Sequence, residues 1–235
     1  MKKHILLCIV GISYFAHAAI EFRYKEDPYS THQPILYEIV TQTTGPIIEF
    51  GCGYGSTDML HELCKKNGRI LISVDDNYEW LSKFTTKYLG NGYNEDNSGW
   101  HKFYFVSGKK NDYDASHWIT FLETNEIFKT LNFDVVFVDQ SPWMGRYETV
   151  MRLKDNARYI ILHDCDYFPE HGIFGNVIRK IDRNKRTPGI YDFSTYFSFF
   201  KVYFPPAPWA ANTGPPTLVA SNFESEFPEI NYNNY

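Results

Sequence analysis

The feature that most constrains the fold is a short apolar segment that ends in an acidic residue and opens into three alternating glycines. It reads Ile47-Ile48-Glu49-Phe50-Gly51-Cys52-Gly53-Tyr54-Gly55-Ser56. The apolar run predicts a buried strand, and the glycines allow a tight turn and a close approach of the backbone to a ligand. A helical pattern from Ser56 to Cys64 follows. The free N–H groups at the start of that helix are therefore predicted to face the ligand.

The spacing of the glycines separates two classes of binding loop. A dinucleotide-binding loop has the spacing G-x-G-x-x-G, whereas these glycines alternate strictly after Glu49. The pattern E-x-G-x-G-x-G resembles the first motif of class I S-adenosylmethionine (SAM)-dependent methyltransferases. The resemblance implies that the loop wraps the amino-acid end of SAM, with cofactor contacts at Glu49, Gly51, Gly53, Gly55 and Ser56. A glycine-rich turn without a ligand is the alternative.

A second apolar run ends in two carboxylates about 20 residues after the glycines. It reads Arg69-Ile70-Leu71-Ile72-Ser73-Val74-Asp75-Asp76. An acid at this place can accept hydrogen bonds from both ribose hydroxyls, and we assign that role to Asp75. The segment also resembles the second-strand motif of methyltransferases. The alternative is that Asp76 or Asn77 caps the following helix.

Strand and helix patterns alternate along the chain, which predicts a three-layer α/β fold. The resemblance covers about residues 35–203 and implies a Rossmann-like methyltransferase fold with a mostly parallel seven-stranded sheet and a C-terminal antiparallel hairpin. The further predicted strands are 102–106, 133–139 and 158–163, with a hairpin of 190–193 and 197–203. The predicted helices are 31–43, 56–64, 81–89 and 115–128, and 90–99 is a predicted loop.

The N-terminus has the pattern of a secretory signal peptide. Two lysines precede an apolar run over residues 5–15, and Ala16-His17-Ala18 supplies a cleavage site. We predict a signal peptide at 1–18, a methyltransferase-like domain at 19–204 and a Pro- and aromatic-rich tail at 205–235. The mature chain would be exported; if the N-terminus is retained, the protein is cytoplasmic. Export conflicts with the use of SAM, which is made in the cytosol.

The net charge, the cysteine content and the length of the N-terminal apolar run exclude several classes of protein. A formal net charge of -5 and a pI near 5.9 argue against a non-specific nucleic-acid binder, which needs a basic surface. Cleavage after residue 18 would leave Cys52, Cys64 and Cys165, an odd number without a C-x-x-C pair, so no disulfide framework is predicted. The N-terminal apolar run is too short for a stable membrane span. Oligomeric state has no signal in the sequence.

Ionisable residues follow the fourth and fifth predicted strands. Asp139 ends the fourth strand, and His163, Asp164 and Asp166 follow the fifth. The carboxyl ends of parallel strands at a topological switch point face one crevice, so these groups are predicted to meet beside the methyl donor. His163 is a candidate base oriented by Asp139 or Asp164. Alternatively, Asp139, Asp164 and Asp166 hold Mg²⁺ or Ca²⁺, or His163 is a structural histidine and Asp166 a cap.

Two narrower resemblances concern the acceptor. Metal-dependent catechol-type O-methyltransferases have an acid after strand 4 and an Asp-Asn pair after strand 5; the matching residues are Asp139, Asp164 and Cys165, of which the cysteine departs from the pattern. The segments Val138-Asp139, Gly145-Arg146 and His163-Asp164-Cys165-Asp166 look like those of glucuronoxylan O-methyltransferases. These resemblances imply methylation of a small-molecule or carbohydrate hydroxyl. The competing hypotheses are an exported, inactive SAM-fold binding protein and a nicotinamide oxidoreductase.

Overall fold

The computed structural model describes residues 20, 22–90, 93, 99–111, 114–165, 196–205 and 215–235. The predicted signal peptide, the first arm of the predicted hairpin (190–193), most of the loop at 90–99 and Asp166 lie outside the described residues. Within them, no helix is long and apolar enough to cross a membrane. The described cysteines Cys52, Cys64 and Cys165 are all buried.

One seven-stranded sheet with the strand order β3-β2-β1-β4-β5-β7-β6 organises the described residues. The strands β1 to β5 run parallel to one another, whereas β7 is antiparallel to both β5 and β6. This confirms the predicted Rossmann-like α/β fold with a mostly parallel seven-stranded sheet and an antiparallel end. The strands are β1 Ile47–Phe50, β2 Leu71–Asp75, β3 His101–Phe105, β4 Phe133–Val138, β5 Ala157–Leu162, β6 Phe199–Tyr203 and β7 Thr217–Ser221.

The helices form a layer on each side of the sheet. Apolar residues of α1 and α2 pack against one face, and those of α4 and α6 pack against the other. Side chains of β1 alternate between these two cores, with Ile47 in the first and Ile48 in the second. The helices are α1 Gln33–Thr41, α2 Thr57–Asn67, α3 Tyr78–Leu89, α4 Ser116–Thr124, α5 Ile127–Thr130 and α6 Trp143–Leu153.

The single helix predicted over residues 115–128 is wrong in one respect, because the chain forms two helices there. Asn125 follows α4 with an extended backbone (φ -80°, ψ 124°). Its side-chain oxygen accepts a hydrogen bond from the Ile127 N–H at 3.1 Å. An asparagine side chain that competes for backbone donors favours a helix boundary over a helix interior, and apolar periodicity alone did not reveal this.

The antiparallel end of the sheet contains a strand, β7, that is not among the predicted strands. Strand β6 pairs with β7, and β7 lies between β5 and β6 in the sheet. Residues 217–221 lie in the predicted Pro- and aromatic-rich tail, for which no strand is predicted. All five residues of β7 are buried, and a short apolar run of this kind is typical of a strand covered on both faces.

The strand order reverses between the neighbouring strands β1 and β4. The helices that follow these strands, α2 and α6, pack on opposite faces of the sheet. In open α/β sheets, ligands bind in the crevice outside the carboxyl ends of the strands at such a switch point. The glycine loop after β1 and the acidic segment after β4 both lie at this end. The candidate site is therefore at the β1–β4 crevice.

Candidate functional site

The three glycines of the loop after β1 differ in how much space the protein leaves for a side chain. A Cβ at Gly51, whose φ is +89°, would lie 2.7 Å from the Asp139 carbonyl carbon. A Cβ at Gly55 would lie 2.6 Å from Ser30 Oγ. At Gly53 the nearest atom would be 3.8 Å away, in ordinary contact. The packing of the protein thus requires Gly51 and Gly55 but leaves space at Gly53.

Glu49 lies beneath this loop and points into the protein. It is fully buried. Ser56 Oγ donates to its Oε2 at 2.9 Å, and Ser73 Oγ donates to its Oε1 at 2.5 Å. Burial raises the pKa of Glu49 to about 8, against the opposing effect of the hydrogen bonds from Ser73 and Ser56. Glu49 and Ser56 therefore tie β1 to the start of α2, and their direct contact with a cofactor stays a prediction.

A buried chain of polar side chains, none of them among the predicted site residues, continues from Glu49 across the sheet. Ser73 Oγ lies 2.8 Å from His101 Nε2, and His101 Nδ1 lies 2.9 Å from His61 Nδ1. Burial lowers the pKa of His101 to about 2, with His61 acting in the same direction. Burial also lowers the pKa of His61, to about 4. Both rings are consequently neutral near pH 7, and each can donate through one nitrogen and accept through the other.

Asp75 joins the end of β2 to the glycine loop. Its Oδ2 accepts a hydrogen bond from the Cys52 N–H at 2.8 Å, and its Oδ1 accepts one from the Asn77 N–H at 2.8 Å. Burial raises its pKa to about 6, although these backbone donors lower it. The predicted helix cap is confirmed for Asn77, whose Oδ1 accepts from the Trp80 N–H at 3.0 Å.

A cavity of about 390 Å³ opens between the end of β3 and α4. Its walls include residues 105–108 and His117. His117 Nε2 lies 2.9 Å from Asp76 Oδ2, and the Val106 N–H donates to the Asp75 carbonyl at 2.9 Å. The cavity is therefore adjacent to the two acids that end β2.

Arg146, on α6, holds together the ends of β4 and β5. Its Nε donates to the Gln140 carbonyl at 2.7 Å and its Nη1 to the His163 carbonyl at 2.7 Å. Its Nη2 lies 2.9 Å from Asp139 Oδ1, and its Nη1 lies 3.4 Å from Asp164 Oδ2. A planar guanidinium suits such multiple bonding. The cation between the carboxylates of Asp139 and Asp164 is thus the side chain of Arg146.

Asp139 and His163 form a hydrogen-bonded pair beside this arginine. Asp139 Oδ1 lies 3.2 Å from His163 Nδ1, and His163 Nε2 lies 3.8 Å from Asp164 Oδ1. Burial acts to raise the pKa of Asp139, but His163 and Arg146 outweigh it and hold that pKa at about 2. Burial acts to lower the pKa of His163, but Asp139 and Asp164 raise it above its ordinary value. The side chains of Asp139 and Asp164 are 26% and 24% exposed, whereas that of His163 is 2% exposed.

His32, immediately before α1, completes this group and was missed by the sequence analysis. It is buried, and its ring centroid lies 4.4 Å from that of His163. Neither ring nitrogen has a hydrogen-bond partner among the described residues. Burial lowers the pKa of His32 to about 3, and His163 adds to this effect. A lone histidine before an amphipathic helix gives no signal of such a neighbour.

The described part of the C-terminal segment borders the same group. Thr31 Oγ1 donates to the Pro215 carbonyl at 3.0 Å, and the Cys165 N–H donates to the Pro216 carbonyl at 3.1 Å. Pro215 and Pro216 therefore connect the start of α1 to the end of β5. They also fix the chain that enters β7.

The predicted site residues fall into two adjoining groups. One comprises the loop after β1 with Asp75, and the other comprises Asp139, His163 and Asp164. They meet where the Asp139 N–H donates to the Phe50 carbonyl at 2.7 Å, directly before Gly51. Asp166, predicted as a metal ligand, lies outside the described residues. The structure thus brings the two groups to one crevice.

Comparisons with known proteins concern the fold. No family model matches the chain, and no curated protein matches it. A similar solved structure is the bifunctional kinase-methyltransferase WbdD, at 13% identity and a TM-score of 0.46, over 82% of this chain and 38% of that one. Spermidine synthase from Thermotoga maritima is similar at 15% identity and a TM-score of 0.45, over 88% of this chain and 68% of that one.

The methyltransferase domain of bacterial CtHen1-C is similar at 16% identity and a TM-score of 0.40, over 80% of this chain and 96% of that one. This chain spans 38% of the length of WbdD. At such identities, an activity does not pass from one protein to another. The residues of the crevice therefore carry the evidence for the function.

Proposed function

We propose that the protein is a SAM-dependent methyltransferase that transfers a methyl group to a hydroxyl oxygen of a small molecule or sugar. The observation that carries this proposal is the open space at Gly53, beside the hydrogen bond between the Cys52 N–H and Asp75. A Cβ at Gly53 would meet no described atom closer than 3.8 Å. The missing side chain at this position therefore leaves room for a ligand.

The residues around Gly53 fit the parts of SAM. Each oxygen of Asp75 accepts one backbone N–H, which leaves lone pairs for the two ribose hydroxyls. The adjacent cavity of about 390 Å³ has room for a flat ring system such as adenine. The amino-acid end would lie along the loop at the start of α2, where helix N–H groups favour a carboxylate. SAM supplies the electrophilic methyl group when bound.

The acceptor would bind at the partly exposed carboxylates of the second group. Asp139 and Asp164 are the members of that group that solvent reaches. A hydroxyl is a weak nucleophile at neutral pH, so its proton must leave as the methyl group is transferred. The Asp139–His163 pair is where we place this step. Either the imidazole accepts the proton, or a metal ion held by the same residues lowers the pKa of the hydroxyl.

Calorimetric titration of the purified protein with SAM, S-adenosylhomocysteine and NAD tests the cofactor. We expect heat and a thermal shift with the first two and none with NAD. Gly53→Leu should weaken SAM binding at least tenfold without lowering the stability of the fold, because it fills ligand space only. Gly99→Leu is the matched control outside the crevice, since a Cβ there has similar room at 3.8 Å. An absence of SAM binding by folded protein would refute the proposal.

The inactive binding protein is the second candidate, motivated by the signal-peptide pattern and its conflict with SAM supply. It requires SAM binding without methyl transfer to any hydroxyl acceptor. We also propose that residues 1–18 are removed on export, with retention in the cytoplasm as the alternative. Intact mass of the native protein decides between these, because it begins either after Ala18 or at Met1.

A further inference from the structure

Three imidazole nitrogens in the crevice lack partners. They are Nδ1 and Nε2 of His32 and Nε2 of His163, all buried and without a hydrogen bond among the described residues. The backbone of Gly55 interacts with the His32 ring and acts to raise its pKa, but it does not reach hydrogen-bonding geometry with either ring nitrogen. Buried polar atoms are normally paired, and each one that is not calls for an explanation such as a bound water or ion.

These rings lie around one point together with a carboxylate. One ligand atom from each of His32, Asp139 and His163 lies within 4.8 Å of the other two. Ligand atoms about 2.0–2.2 Å from an ion are roughly 3–3.5 Å apart. The longest pair therefore has to close by at most about 1.3–1.8 Å, which side-chain rotation supplies.

We propose that His32, Asp139 and His163 bind one divalent transition-metal ion. Two imidazoles and one carboxylate suit Zn²⁺, Fe²⁺ or Co²⁺, whereas Mg²⁺ and Ca²⁺ prefer oxygen ligands alone. The site differs from the predicted set of Asp139, Asp164 and Asp166 in its ligands and in its metal. It depends on His32, which belongs to neither strand end.

Arg146 is the main physical objection to a cation here, because its guanidinium lies 2.9 Å from Asp139 Oδ1. Two carboxylates, Asp139 and Asp164, face this one guanidinium, so one negative charge is left for an ion. Carboxylates that bind metals are themselves commonly hydrogen-bonded by an outer shell. Arg146 also donates to the backbone carbonyls of Asp139 and His163, and these bonds hold two of the proposed ligands in place.

The consequence for chemistry rests on the proposed function. Three protein ligands would leave an open position, at which a hydroxyl oxygen of the acceptor could bind and release its proton to the solvent that reaches Asp139 and Asp164. His163 would then be a ligand, and the ion would lower the pKa of the acceptor. The binding of the ion itself requires neither SAM nor an acceptor.

The test uses the full protein, dialysed against a chelator and titrated with Co²⁺ in the absence of SAM. We expect one Co²⁺ per chain, visible absorption bands of a nitrogen- and oxygen-ligated ion, and displacement by Zn²⁺ but not by Mg²⁺. His32→Ala should weaken Co²⁺ binding at least tenfold. His61→Ala, which removes a histidine of the separate polar chain, should leave binding unchanged.

Two controls keep the outcome decisive. Asp139→Asn retains the side-chain shape and should also weaken binding, and circular dichroism reports whether each variant is folded. No Co²⁺ binding by the folded native chain, or equal binding by folded His32→Ala, would overturn the proposal; so would a site filled by Mg²⁺ alone. Because SAM is absent from this titration, a lack of Co²⁺ binding would leave the methyltransferase proposal standing. A lack of SAM binding would likewise leave the metal-site proposal standing.

Discussion

The backbone N–H of Cys52 donates a 2.8 Å hydrogen bond to Oδ2 of Asp75. This bond connects the glycine loop after β1 to the carboxyl end of β2, 23 residues further along the chain. It places an acid beside the one glycine of the loop whose side-chain space is open. The glycine loop and Asp75 therefore form one structural unit.

Replacing Asp75 should weaken SAM binding and the fold together. Asp75→Ala leaves the N–H groups of Cys52 and Asn77 without their acceptors, which costs about 1–3 kcal/mol for each unsatisfied group, and it removes the ribose contact. We expect at least a tenfold loss of SAM affinity by calorimetry. Asp76→Asn is the control, because Asp76 pairs with His117 instead. Equal affinity of the two variants would contradict the assignment of Asp75.

Glu49 should make the stability of the cofactor-free protein depend on pH. Its folded-state pKa of about 8 lies above the ordinary 4.5, so the folded state binds more protons between these values. The free energy of unfolding should fall as pH rises from about 5 to 8, by up to about 1.4 kcal/mol per pH unit. Urea denaturation at pH 6, 7 and 8 measures it. The Glu49→Gln variant should lack this dependence on pH. If the unfolding free energy of the native chain depends on pH no more than that of the variant, Glu49 is ionised in the folded protein.

Arg146 should be irreplaceable by lysine. Arg146→Lys keeps the charge but cannot bond at once to the carbonyls of Gln140 and His163 and to Asp139, so we expect a loss of about 2–4 kcal/mol in unfolding free energy. Arg152→Lys on the same helix is the matched control. Arg152 pairs with Glu123 and Glu148 at the surface, and its replacement should cost under about 1 kcal/mol. Similar losses of unfolding free energy for both variants would contradict the role of Arg146 in holding together the ends of β4 and β5.

His163→Ala should stop methyl transfer while SAM still binds. Whether His163 is a base or a metal ligand, its loss removes the group that prepares the hydroxyl, and we expect turnover to fall by roughly 10²–10⁴-fold. The measurement is release of S-adenosylhomocysteine with a panel of catechols and simple glycosides. SAM affinity of the variant, within about threefold of the native value, is the control for folding. Unchanged turnover would place the chemistry elsewhere.

Much of the fold was predictable because its signals are local. The run Ile47–Phe50, the glycines after it and the pattern of α2 lie within about 20 residues, so strand, turn and helix each have their own periodicity. The acids that end β2, β4 and β5 were predictable for the same reason. The split between α4 and α5 was missed because it depends on one side chain, Asn125, that competes with the backbone.

The sequence by itself determined the α/β class, the glycine loop and the positions of Asp75, Asp139 and His163 at strand ends, since each follows from neighbours in the chain. Only the tertiary structure decided that His32 lies beside His163 and that Thr217–Ser221 enters the sheet between β5 and β6. These pairs are far apart in the sequence. Their meeting depends on which faces the packed layers bury, and local periodicity carries no information about that.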